Sequence, residues 1–248
     1  MARETRLMMG MPIIVDIPGD EHAGLIEQVF AGFAEVDARF SPYRGDSELS
    51  ALNAGRVRPE ELSAEMAEVL DIAQKMRQVS GGYFDVRRPD GDLDPSGVVK
   101  GWAILRAAQH IAAAGVGDFY VDAGGDIQTG GHDATGKDWV IGIRNPFAAS
   151  EIVKALRPKG HGVATSGNYV RGNHIYDPHN PGEAISAIVS LTVIGPDVLE
   201  ADLYATAAFA MGRRGIHFIE AVPDLEGYVI HPDGTALQTS GFRSFVVQ

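Results

Sequence analysis

Residues 196–212 read PDVLEADLYATAAFAMG, a run that is apolar on most of its faces once wound into a helix. A helix of that kind has no side to give to water, so it packs into a core. Asp202 lies inside the run and Thr206 follows four residues later, which puts a carboxylate and a hydroxyl on one face, one turn apart. A carboxylate facing a core is costly unless something pairs with it. Asp202 either answers the helix dipole, a role that Asp197 and Glu200 fill better from nearer the start, or it holds a ligand. Carboxylate and hydroxyl oxygens suit a hard cation. Mg²⁺ usually takes one or two carboxylates together with water and substrate phosphates.

Around this helix the chain alternates its patterns irregularly. Residues 5–17 predict a strand, and residues 20–39 an amphipathic helix with Leu25, Ile26, Val29, Phe30, Phe33 and Val36 on one face. Residues 41–53 lead into a short helix, and residues 59–79 form another that ends at the glycine pair 81–82. A long turn-rich connection, 82–97, precedes a helix from about residue 99 to 114. Residues 119–131 and 139–146 alternate like paired strands, and 155–167 and 184–195 are further strands. A short helix at 214–221 and a hairpin at 227–242, turning at Pro-Asp-Gly, complete the chain. Helices and strands mix without strict βα alternation, which predicts a compact α+β domain over residues 1–248, with mixed or antiparallel sheets and packed helices. No internal repeat or linker stands out.

The totals exclude several classes. The 248 residues carry a formal net charge of −12 and no basic stripe, so nucleic acid is not an expected partner. No cysteine is present, which removes disulfides, thiolate metal sites and cysteine nucleophiles together. No apolar run reaches transmembrane length, so no membrane insertion is expected. The first residues read as a strand rather than a signal peptide, so the expected location is the cytoplasm, with an exported protein whose signal has been removed as the alternative. An acidic protein that binds a pyrophosphate needs local help from a cation, backbone N–H groups or a few placed basic side chains.

Four further stretches carry chemistry. In DPSGVVKGW (94–102) a helix begins between Gly97 and Gly101; its N-terminal N–H groups suit an anion and Lys100 adds charge, although an ordinary capped turn has the same pattern. Neither a Walker loop nor a GxGxxG after a strand occurs. The glycines of VDAGGDIQTGG (121–131) make either a tight turn or a close approach for a ligand. In residues 162–182, His174 is the best general base among the histidines, with Asp177 nearby. Tyr43, Tyr83, Phe84 and Trp102 lie in or beside these loops, placed either for stacking a planar ligand or for the core.

Taken in order, MG at 9–10, SPYRGDSELSALN, GGYFD, DPSGVVKG, VDAGGDI, WVIGIRNP, ATSGNY, HIYDP and EADLYATAAFAMG resemble the ApbE-type FAD:protein FMN transferases, from about residue 9 to 242. The resemblance implies that Asp202, Thr206 and the main-chain oxygen of Val99 bind Mg²⁺ against the FAD pyrophosphate. It implies a flavin site drawn from Met9, Tyr43, Tyr83, Phe84, Asp85, Ser96 and Trp102, to which Lys100 and Thr165 are added. The implied reaction cleaves FAD, transfers FMN to a Thr or Ser hydroxyl of an acceptor protein and releases AMP. His174 is the expected base, with Asp177 orienting it. A hydrolase giving FMN and AMP, or a flavin carrier without turnover, are the alternatives. The usual DLGGIAKG stands here as DPSGVVKG, and the RGN loop at 171–173 is short for the family, which mildly favours hydrolysis. The oligomeric state is open, because the apolar content fits a monomer or a dimer.

Overall fold

A computed structural model of the chain describes residues 2–168 and 175–247. The path begins β1 (Ala2–Met8), β2 (Met11–Ile17), α1 (Ala23–Phe40), α2 (Glu48–Asn53), α3 (Ala64–Val79), α4 (Ser96–Ala113), β3 (Phe119–Ala123), β4 (Asp126–Gly130). A hairpin of β5 (Ile141–Asn145) and β6 (Ala148–Leu156) comes next. Then follow β7 (Gly162–Gly167), β8 (Ser190–Gly195), α5 (Val198–Ala210), α6 (Gly215–Glu220), β9 (Glu226–Ile230) and β10 (Ala236–Gln238). Eight strands make one sheet in the order β1-β2-β3-β4-β7-β8-β9-β10, and its neighbouring strands are antiparallel. This is the α+β class that the mixed pattern predicts. Among the described residues no helix is long and apolar enough to cross a membrane.

Two stretches trace the same path: two strands, helices, two strands. The first is β1-β2, α1 to α4, β3-β4, and the second is β7-β8, α5-α6, β9-β10. The sequence shows no repeat, so the likeness lies in topology rather than in residues. The halves join where β4 meets β7, and that ladder has two residue pairs, Ile127↔Val163 and Gln128↔Gly162, against seven between β1 and β2.

Strand alternation sorts the side chains into two layers. One face of the sheet carries Ile13, Val15, Ile17, Val121 and Ala123 against α1 and α4, and continues with Ala164, Leu191, Val193 and Val229 against α5 and α6. The other face carries Ile127, Val163, Ile194, Tyr228 and Ile230, covered by Ile141, Ile143 and Leu156 of the β5–β6 hairpin and by Phe242. The apolar run that opens the sequence becomes α5, in which Ala201, Ala205, Ala208 and Phe209 are buried against the sheet while Leu203 and Ala207 face the α1–α4 side.

Three strand expectations change. Residues 5–17 are two strands, because Met9 and Gly10 both adopt positive φ (52° and 73°) and turn the chain as a two-residue hairpin. Residues 155–167 divide between β6 and β7, and residues 139–146 pair with β6 rather than with the 119–131 hairpin. The AASEIVKAL of β6 lacks the clean alternation that would have marked it.

Candidate functional site

Two glycines set the position of α5. At Gly101 of α4 an added Cβ would meet the Leu199 Cα at 3.0 Å and the Asp202 Cβ at 3.1 Å, so α4 and α5 cross with backbone nearly against backbone. At Gly162 a Cβ would run into the backbone of Asp197 and Val198, so β7 starts directly beneath the α5 N-terminus. Gln128 of β4 completes the seat: its Oε1 accepts the Val198 N–H at 2.9 Å and its Nε2 donates to the Gly160 carbonyl at 2.8 Å. Asp197 caps the helix by accepting the Glu200 N–H. Asp202 is therefore one turn too deep for the dipole role, and its carboxylate is met instead by Lys100 and the Gly101 N–H.

Around Asp202 lies a buried charge cluster. Asp202 and Asp126 are each 2% exposed. The Lys100 ammonium sits between them, 2.5 Å from Asp126 Oδ2 and 3.3 Å from Asp202 Oδ1. The second oxygen of each carboxylate is committed: Asp202 Oδ2 accepts the Gly101 N–H at 3.1 Å, and Asp126 Oδ1 accepts the Thr165 N–H at 3.0 Å. That last bond lies just beyond the end of the two-pair β4–β7 ladder, so a side chain ties the strands where the main-chain ladder stops. Burial pushes the Asp202 carboxyl up to about 7, with Asp126 adding to the rise and Lys100 opposing it. Thr206 Oγ1 faces Ser166 Oγ across 3.5 Å.

Lys100 and Asp202 of this cluster form the floor of a cleft of ≈ 870 Å³, with Asp126 buried behind Lys100. One wall holds Met9, Val36, Phe40, Tyr43, Tyr83 and Phe84. Met9 lies there because of its hairpin turn, a left-handed conformation that is costly for a side chain of its size. Tyr43 is 96% exposed at the rim, a ring available for stacking. Tyr83 is fixed from the second half, by the Arg214 guanidinium on its hydroxyl and by His179 edge-on at 4.6 Å. The far end carries Tyr120, Asp122 and Arg144. There the Tyr120 hydroxyl donates to Asp122 at 2.9 Å, and burial holds the Asp122 carboxyl above its usual range.

Of the residues singled out from the sequence, Met9, Tyr43, Tyr83, Phe84, Asp85, Ser96, Lys100 and Thr165 line this one cleft. Val99, Asp202 and Thr206 line it too. Trp102 does not line it. Its indole N–H donates to Glu68 at 3.1 Å and its ring packs on Phe40, so it belongs to the core. Asp177 also stands apart, accepting the His179 N–H and the Asn180 side-chain amide within its own turn. His174 lies outside the described residues. The glycine pair 124–125 makes the β3–β4 turn, as the tight-turn reading of VDAGGDI expects, and lines the cleft. Sequence reasoning missed Asp126 and Gln128; the only signal was their position in GGDIQ, where alternation puts both on one face.

The donor set fits Mg²⁺. Asp202 and Thr206, which line the cleft, carry hard oxygen atoms, Val99 lines it beside them, and two buried carboxylates share a single ammonium. Among the described residues no group of three or more His, Cys, Asp or Glu is arranged to hold a metal ion, so a cation here would rely on the hydroxyl, the main chain and its substrate.

Known proteins agree with this architecture. A family model described as ApbE family matches residues 9–88 and 86–229. An FAD:protein FMN transferase of Klebsiella pneumoniae (strain 342) is 30% identical over 190 residues, covering 72% of this chain and 54% of that protein. One from Escherichia coli (strain K12) is 29% identical over 177 residues, covering 66% and 50%. The chain thus spans about half the length of the curated relatives it matches. Among solved structures, the flavin transferase ApbE from Vibrio cholerae superposes with a TM-score of 0.83 at 24% identity over 98% of each chain. The ApbE protein from Thermotoga maritima gives 0.85 at 20% identity, over 100% of this chain and 99% of its own. With the family model matching most of its length, the chain belongs to the ApbE family.

Proposed function

We propose that this chain is a Mg²⁺-dependent FAD:protein FMN transferase, acting as one flavin-transferase-like unit. One observation carries the reading: an aromatic wall and the Lys100–Asp202 pair line the same cleft, with Asp126 buried against Lys100. A flavin nucleotide has the matching halves, a planar apolar ring and a charged pyrophosphate. Tyr43, Tyr83, Phe84 and Met9 receive the ring system, and Lys100 with the α4 N-terminus at Ser96 receives the pyrophosphate. Asp202, Thr206 and the Val99 carbonyl would hold the Mg²⁺, which supplies charge neutralisation at the phosphates.

In the reaction a Thr or Ser oxygen of the acceptor protein forms a bond to the FMN phosphorus. The bond from that phosphorus to the bridging oxygen breaks, and AMP leaves with the oxygen. His174 takes the hydroxyl proton. Thr165 and Ser166 line the cleft beside the floor and orient the phosphate. Asp85 is held by Arg77 at 2.8 Å and fixes the loop that carries Tyr83 and Phe84.

The test is a mass-resolved incubation with FAD and Mg²⁺, with and without a peptide carrying an Asp-Gly-x-Thr-Gly-Ala-Thr acceptor. The expected result is a peptide heavier by one FMN, with AMP released. FMN and AMP without modified peptide would replace transfer by hydrolysis, and bound FAD with neither product would leave a carrier. A His174→Ala variant should bind FAD normally and fail to turn over; normal turnover removes His174 as the base.

A further inference from the structure

At the floor of the cleft the Lys100 ammonium lies within ion-pair distance of two carboxylates, Asp202 on the lining and Asp126 buried behind it. With both carboxylates ionised the sum of the three groups is one negative charge, in a place where Asp126 and Asp202 are both almost fully buried. Buried charge that is not balanced is expensive, and a like-charged ligand arriving there makes it more so. A flavin nucleotide brings its pyrophosphate to this floor as a dianion. Without a cation this floor repels the group that it is built to receive. One divalent cation turns the sum from −1 to +1 and reverses that field.

We propose that the Asp126–Lys100–Asp202 cluster fixes the order of binding, cation first and flavin nucleotide second. Lys100 lies on Asp202 Oδ1, and Asp126 is the positioning residue that retains the ammonium when a cation takes that oxygen. The geometry gives each group its part. Lys100 is nearer Asp126 (2.5 Å) than Asp202 (3.3 Å), so its contact with Asp202 is the one to give way. Asp126 cannot follow it, because its other oxygen is tied to the Thr165 N–H. Asp202 likewise stays in place through the Gly101 N–H. Lys100 is thus left beside the cation, aimed into the cleft that it lines. This rests on the divalent-cation reading of the floor, and it concerns binding alone, not transfer.

The experiment measures FAD affinity by quenching of flavin fluorescence at pH 8, in EDTA and in Mg²⁺, for the wild type, Asp126→Asn and Lys100→Met. Wild type should bind FAD about tenfold or more tightly with Mg²⁺ than in EDTA, since two unit charges change at short range. Asp126→Asn keeps an oxygen for the Thr165 N–H and leaves the floor neutral. It should bind FAD in EDTA more tightly than wild type and gain less from Mg²⁺. A merely structural role for Asp126 gives the opposite sign, weaker FAD binding in both conditions. Lys100→Met should bind FAD in EDTA more weakly than wild type, yet bind Mn²⁺ alone several-fold more tightly, read as free Mn²⁺ by electron paramagnetic resonance. Equal wild-type FAD affinity with and without Mg²⁺, weaker FAD binding by Asp126→Asn in EDTA, or unchanged Mn²⁺ binding by Lys100→Met would each overturn the proposal. If these shifts occur and no acceptor is modified, the transferase reading fails and the binding order stands.

Discussion

The two halves of the sheet follow one path and bring different things to the cleft. The first half gives breadth: the Met9 turn, the α1 end and the Tyr83 loop make the wall, α4 carries Lys100, and β4 holds Asp126 behind it. The second half brings α5, with Asp202 and Thr206 on a single face, and Thr165 and Ser166 of β7 beside it. Within each half the ladders are long, up to seven pairs in β1–β2 and six in β7–β8. Between them the ladder has two pairs. What the seam lacks in main-chain bonds is supplied by side chains and close packing, through Gln128, Asp126, Gly101 and Gly162. Rigid halves with a seam closed by side chains place the chemistry where small changes in either half are felt.

The sharpest break of this comparison is Asp202→Ala, which takes from the second half its charged contribution. It should cost about 100-fold in Mn²⁺ affinity, the upper end of what a partner in a metal site costs. FAD affinity that does not change with or without Mg²⁺ relative to wild type would remove Asp202 from the metal set. The same residue gives a pH signature in cation-free buffer. Its carboxyl, pushed up by burial to about 7, lies above the unfolded value near 3.8, so the folded chain keeps a proton that the unfolded chain releases. That stability is complete below about pH 4 and is lost as pH rises through about 7. Asp202→Asn should flatten the fall in Tm over this window, and an unchanged profile would assign the fall elsewhere.

Glycine substitutions set the seam against a free surface. Gly101→Ala must part α4 from the α5 backbone, which should cost about 1–3 kcal/mol and weaken FAD binding. Gly32→Ala in α1 meets no atom within 4 Å and should stabilise by about 0.5–1 kcal/mol with FAD binding unchanged. Calorimetry on both reads the sign, and destabilisation of equal size would deny the seam its special closeness. The smallest contrast pairs Gln128→Ala with Ser63→Ala. Each removes a side-chain acceptor at a helix start, of α5 and of α3, and each should cost about 1 kcal/mol. Only the first should also lower FAD affinity, because only α5 carries the floor.

Much of this was legible in the sequence. The i, i+4 spacing of Asp202 and Thr206 gave one face, and the alternation and turn signals gave most elements, including the hairpin at Pro232-Asp233-Gly234. The order of short motifs led to the family. Asp126 was not legible, because its work depends on where the β4–β7 ladder ends and on partners at 100, 165 and 202. Trp102 read equally as a stacking ring or a core ring, and the choice was made by Glu68 and Phe40, elements away in the chain. The division of residues 5–17 into two strands hung on Met9 taking positive φ, which sequence statistics disfavour.

Closure of the seam by facing residues has a consequence for descent. A change on one side is tolerated only when the other side answers it. Gly101 can grow only if the Val198–Leu199 backbone withdraws, and a loss of charge at Lys100 is answered across the seam by a loss at Asp202. Among related sequences such positions should change in pairs drawn from opposite halves, and the pairs should trace the line where β4 meets β7 and α4 crosses α5.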